Sequence, residues 1–172
     1  VTRKRFLAGL LGLLAAPLAG RLEADEPDAV DRRQVPGLTK PKAEWRRLLP
    51  PAAYAVLFEE STERAGSSPL NAEKRAGTFV CAACFLPVFR SDTKFESGTG
   101  WPSFWAPISG HVATKRDFKL ILPRTEYHCV RCGGHQGHVF SDGPAPTGKR
   151  YCNNGVALRF VPAGESLPAL RS

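Results

Sequence analysis

No methionine occurs anywhere in the 172 residues. The absence would suit a chain exposed to oxidants, because methionine is readily converted to its sulfoxide; compositional chance accounts for it equally well. A bilayer-spanning apolar run is also missing from the N-terminal region, where residues 7–14 form an apolar stretch of eight broken by Gly9 and Gly12, too short to cross as a helix. Lysine and arginine form no long run after residue 5. The formal charge of +8, three units of which come from Arg3, Lys4 and Arg5, therefore does not define a nucleic-acid surface. No internal repeat is visible. Good helix-bundle composition is lacking too: 16 glycines and 15 prolines favour turns and short strands. The hydrophobic fraction of 42% against 23% charged excludes disorder over the whole length. The chain is long enough for one compact domain with an extension, and too short for two ordinary domains.

What is present begins with an address. Residues 1–20 run from the basic Arg3-Lys4-Arg5 through the apolar stretch to the small residues Ala15-Ala16 and Ala19-Gly20, the order of an export signal. Arg3-Lys4-Arg5-Phe6-Leu7 resembles a twin-arginine signal with lysine in second place. An exported, periplasmic protein is expected, with an uncleaved membrane anchor as the alternative. Residues 21–40 are polar and aperiodic and read as a linker. Residues 41–163 carry the domain, and 164–172 read as a tail. Within the domain, Trp45, Leu48 and Leu49, then Tyr54, Leu57 and Phe58 after Pro50-Pro51, have helical spacing and predict two short helices. Residues 61–75 read as loop. From Thr78 onward, short apolar runs at 78–81, 88–89, 111–113, 118–122, 127–129, 138–140, 150–153 and 156–160 predict antiparallel strands. The fold class is mainly β.

Four of the five cysteines form two matched pairs, Cys81-x-x-Cys84 and Cys129-x-x-Cys132. Two such turns aim four thiolates at one ion and complete a tetrahedron, which predicts a structural Zn²⁺ site with no open position for substrate. Gly133 and Gly134 permit the sharp turn after the second pair. Two disulfides or a redox pair are the rivals, and Cys129, Cys132, His135 and His138 could form a mixed site, though that would leave Cys81 and Cys84 unused.

Cys152 stands alone in Arg150-Tyr151-Cys152-Asn153-Asn154. On a strand, residues 150, 152 and 154 share one face, setting a guanidinium, a thiol and a carboxamide side by side. The cation would favour the thiolate, yet most free cysteines are small core residues, and the segment alone does not decide. His135 and His138 offer an acid or base near neutrality, and Asp142, four residues past His138, could fix a histidine tautomer. Gly98-Thr99-Gly100-Trp101-Pro102-Ser103-Phe104-Trp105 sets aromatics on a Gly/Pro loop, where a pocket is a more natural role than a core. Hydrogen-bonding support of the zinc ligands is the plain alternative for the histidines, and an ordinary core place for Trp101.

These segments in this order, C-x-x-C, then SGTGWPSFW, then HCVRCGGHQGHVFSDGPAPTGKRYCNNGVALRF, resemble the B-type methionine sulfoxide reductases. The resemblance spans Trp45 to Phe160 and includes EWRRLL and GSSPLNAEKRAGTFVC upstream. It implies a β-tent of two antiparallel sheets with zinc on Cys81, Cys84, Cys129 and Cys132. It implies Cys152 as nucleophile, with Arg150, Asn154, His135, His138 and Asp142 in the catalytic set and Trp101 against the substrate methyl group. Oxidised proteins are the implied substrate, repaired through a Cys152 sulfenic acid, with thioredoxin, glutaredoxin or a small thiol as reductant; a monomer is expected. Thr99 stands where many members carry a resolving cysteine, so recycling must come from an external thiol. A non-catalytic zinc-ribbon module and a thiol peroxidase are the competing readings.

Overall fold

The computed structural model describes residues 35–118 and 123–172. The export signal read at 1–20, and most of the linker read at 21–40, lie outside the described residues.

Two helices open the domain. α1 spans Lys42–Leu48 and α2 spans Pro51–Glu59. Pro51 sits at the first turn of α2, where its missing N–H costs no hydrogen bond. Trp45 stacks on Phe58 with ring centroids 4.8 Å apart, closing the pair into a hairpin. Leu49, Ala53, Tyr54, Val56 and Leu57 are buried with Trp45. Leu48, placed on the inner face by spacing, is instead 39% exposed, because the helix ends there and the chain turns through Pro50.

Nine strands follow among the described residues: β1 Gly77–Cys81, β2 Pro87–Arg90, β3 Lys94–Phe95, β4 Ser103–Phe104, β5 Val112–Asp117, β6 Arg124–Cys129, β7 His135–Phe140, β8 Arg150–Asn153 and β9 Leu158–Pro162. They make two antiparallel sheets, one ordered β2-β1-β9 and the other β3-β4-β8-β7-β6-β5. The mainly β class and the two-sheet architecture are as the sequence suggested. Of the strand expected at 118–122, Phe118 lies outside β5, which ends at Asp117, and is 69% exposed, while 119–122 fall outside the described residues. The two-residue strands β3 and β4 have no sequence signal of their own.

Aromatic rings join the sheets. Phe89 of β2 stacks on Phe104 of β4 at 4.1 Å, Phe79 of β1 meets Phe104 edge-on at 4.9 Å, and Phe89 meets Tyr127 of β6 edge-on at 6.1 Å. Each such contact contributes about 0.5–1.5 kcal/mol beyond its burial. Phe104 thus belongs to the core, correcting its place among loop aromatics: β4 gives it an inward-facing strand position that Gly/Pro-rich surroundings conceal.

The ends of the described chain are held to this body. Val35 and Leu38 pack against the core, and Leu38 N donates to Arg131 O at 2.7 Å. At 164–172, read as a tail, Arg171 donates from its backbone N to Cys84 O (3.1 Å) and from Nε to Ala83 O (2.6 Å). The buried Arg131 guanidinium reaches both Arg171 O (2.7 Å) and Cys84 O (3.3 Å). The outward-facing carbonyls of the Cys81–Cys84 turn need donors, and the C-terminal segment supplies them.

Candidate active site and metal centre

The metal centre is built from two similar turns. Phe85 N donates to Cys81 O and Gly133 N to Cys129 O, each at 2.9 Å. The residue after each second cysteine has a left-handed backbone, Gly133 at φ 70° and Phe85 at φ 65°. Glycine adopts this freely, whereas phenylalanine pays a conformational cost. The Phe85 ring is held between two guanidiniums, Arg159 at 5.0 Å and Arg171 at 4.5 Å from its centroid.

The ligand atoms of Cys81, Cys84, Cys129 and Cys132 all lie within 4.8 Å of one another. Cys81 and Cys132 sulfurs are 3.7 Å apart, Cys84 and Cys129 sulfurs 3.5 Å. Zn–S bonds of about 2.3 Å in a tetrahedron require S···S separations of about 3.8 Å, so the donor set fits a metal ion of that size. Hydrogen bonds with Cys84, Cys129 and Cys132, together with burial, push the Cys81 thiol well above its ordinary range: four thiolates cannot coexist here without a cation. His135 and His138 are not needed to complete the set.

Cys152 is outside this cluster. Strand register sets a row of polar residues across the second sheet: Lys115, Glu126, His138, Cys152 and Ser103 are successive cross-strand partners on β5, β6, β7, β8 and β4. The thiol and the imidazole are therefore direct neighbours on one face. Gly137 makes their close pairing feasible, since a Cβ there would run into the Cys152 carbonyl. Beside the row lies a cleft of about 120 Å³ lined by Trp101, Thr62, Arg124, His138, Phe140 and Cys152, among others. Trp101 is pinned by its indole N–H to Glu63 O (3.2 Å). Asn154 also borders the cleft, but its side chain is committed: Oδ1 accepts from Glu63 N (3.0 Å) and Nδ2 donates to Gln136 O (3.1 Å). Glu63 additionally caps the turn at 155–157 through Gly155 N and Val156 N. It is the residue that ties the cleft wall to the strand of the thiol.

Two sequence-based roles are corrected. Asp142 does not orient a histidine; it forms a two-pronged ion pair with Arg150 (Nε–Oδ1 2.9 Å, Nη2–Oδ2 2.8 Å), because the chain turns outward after Phe140. His138 Nε2 instead meets Asp117 Oδ2 at 2.8 Å. His135, 3% exposed, does not border the cleft. Its Nδ1 is 3.1 Å from Glu126 Oε1, near enough for charge pairing but not aligned as a hydrogen bond.

The electrostatics also differ from expectation. Burial pushes the Cys152 thiol above its ordinary value; the Arg150 charge and a hydrogen bond with Thr99 pull it down, and Asp142 pushes it up. Burial outweighs Arg150, and Asp142 adds a smaller upward push. Burial likewise lowers the His138 imidazole below its usual value, opposed by the Asp117 hydrogen bond. At rest the pair is a thiol beside a neutral imidazole. Thr99 hydrogen-bonds Ser97 (2.8 Å), which Ser103 also reaches at 2.8 Å, so at position 99 a hydroxyl stands beside the sulfur where a second thiol would be needed for an internal disulfide.

Sequence reading found Cys152, His138 and Trp101, which the fold brings together. It missed Arg124, Asp117 and the Thr62-Glu63 segment, whose positions only strand register and a long loop contact reveal.

Residues 49–162 match the SelR domain family. The chain is 49% identical over 137 residues to the peptide methionine sulfoxide reductase MsrB of Bradyrhizobium diazoefficiens, covering 79% of this chain and 99% of that protein. It is 53% identical over 122 residues to the protein of the same name from Methanosarcina barkeri (70% and 86% covered). It is 50% identical over 126 residues to that of Pseudomonas putida (73% and 95% covered).

Proposed function

The chain belongs to the SelR domain family, whose members here are B-type methionine sulfoxide reductases, and we propose that it reduces methionine-R-sulfoxide in oxidised proteins through Cys152. The observation that carries the assignment of the nucleophile is the placement of this single unclustered thiol, paired with His138, on the wall of a cleft that Trp101 closes.

The substrate methyl group sits against the Trp101 ring. The Cys152 proton passes to the neutral His138 as sulfur attacks sulfur, and His138 returns it to the sulfoxide oxygen. General acid help of this kind is commonly worth about 10²–10⁴-fold. The S–O bond breaks and the oxygen ends on Cys152 as S–OH. The methionine sulfur is reduced by two electrons and the Cys152 sulfur oxidised by two. One external thiol then condenses with the sulfenic acid, releasing water and leaving a mixed disulfide; a second thiol displaces Cys152. Thioredoxin, glutaredoxin or a small thiol meets this need. Zn²⁺ on Cys81, Cys84, Cys129 and Cys132 holds the two turns together and offers no open position to substrate.

The test is chiral chromatography of racemic N-blocked methionine sulfoxide incubated with the protein and dithiothreitol, beside Cys152→Ser. The R epimer alone should disappear, and only with the native thiol. Turnover by Cys152→Ser, or survival of both epimers with folded protein, would overturn the reading.

A further inference from the structure

Asp117 closes β5, opposite Arg124 on β6. Its side chain is 5% exposed, and one oxygen, Oδ2, receives both His138 Nε2 at 2.8 Å and Arg124 Nη2 at 2.7 Å. We propose that Asp117 is the positioning residue of His138, with Arg124 as the cation paired to the same carboxylate oxygen. The assignment rests on the Cys152–His138 chemistry above.

A neutral imidazole carries one N–H. A carboxylate at Nε2 commits the proton to that nitrogen and leaves the Nδ1 lone pair for the Cys152 proton. When that proton arrives, the imidazolium forms beside a negative charge already in place, which lowers the barrier without reorganisation. The other charged groups around the ring are otherwise engaged. Glu126, directly opposite on β6, is matched by Lys115 at 3.3 Å and faces His135. His135 lies edge-on at 5.4 Å. Arg150, on the Cys152 strand, is bound to Asp142. From α2, which packs on β7, Glu59 is bound to Arg46 at 2.9 Å, and Glu60 just beyond it to Lys115. Among the described residues, Asp117 is the one carboxylate that holds a hydrogen bond to His138.

The experiment combines long-range ¹H–¹⁵N spectra of histidine with kinetics, in the zinc-loaded protein and its Asp117→Asn variant. Neutral His138 in the native protein should be the Nε2–H tautomer. Losing the carboxylate should lower the His138 pKa by about one unit and move the acid limb of kcat/KM to lower pH by the same amount. It should reduce kcat about 10²-fold or more, with KM within about threefold, and Asp117→Asn should cost little more in a His138→Ala background. An Nδ1–H tautomer in the native protein, an unmoved His138 pKa, or unchanged kcat would overturn the proposal. The tautomer reading needs neither turnover nor a folded variant, so it fails or holds separately from the reductase reading.

Discussion

At the scale of the residue, the site runs on opposed pressures around one sulfur. Burial keeps Cys152 protonated, Arg150 and the Thr99 hydroxyl pull the other way, and Asp142, ion-paired with Arg150, adds a smaller push toward the thiol. Replacing Asp142 with Asn removes one carboxylate and frees the guanidinium, and both changes lower the Cys152 pKa. Alkylation of Cys152 by iodoacetamide at neutral pH should then speed up by about three- to tenfold, since each unit on a mostly protonated thiol changes the thiolate fraction about tenfold. An unchanged or slower rate would show that Asp142 does not act on the thiol. Cys152, His138 and Trp101 were legible in the sequence because a lone thiol, a paired-histidine motif and an aromatic among glycines are each unusual. Asp117 was not: it sits in Lys115-Arg116-Asp117, which reads as a solvated charge run, and only the β5–β6–β7 pairing carries it to the imidazole.

At the scale of the element, two turns of equal geometry but unequal residues are placed to share one ion. The matched C-x-x-C spacing revealed the centre, and the glycine after Cys132 agreed with it; Phe85 gave no such signal, because a bulky residue rarely takes the left-handed backbone it has here. Removing the metal should leave four crowded thiols with no shared charge partner. We expect a strong chelator to release one zinc per chain, to expose four further thiols to a colorimetric thiol reagent, and to lower the melting temperature by roughly 10 °C or more, the size of a loss of several kcal/mol in a domain of this length. Metal-free protein that melts unchanged would dissociate the centre from the fold. The strands were legible from β1 to β9 wherever an apolar run met a turn signal. β3 and β4 were not, since two residues carry no period, and their existence depends on the longer β8 beside them.

At the scale of the whole molecule, the segments at 35–40 and 164–172 converge on Arg131 within the second metal turn. Neither was legible as part of the body, because each is short, rich in polar residues or proline, and joined to it by backbone carbonyls that sequence does not display. Arg171→Ala removes the Nε bond to Ala83 O and the contact with Phe85. It should cost about 1–2 kcal/mol in urea unfolding and leave kcat and KM unchanged, since Arg171 does not border the Cys152 cleft; equal stability would mean that the docked segment contributes nothing. This convergence also sets an order in time. A ribosome adds about 5–20 residues per second, so Cys81 and Cys84 exist for seconds before Cys129 and Cys132 are made, and Arg171 comes last of all. During that interval the first two thiols have no metal partners to guard them, and a newborn chain depends on the reducing power of the compartment in which it is synthesised.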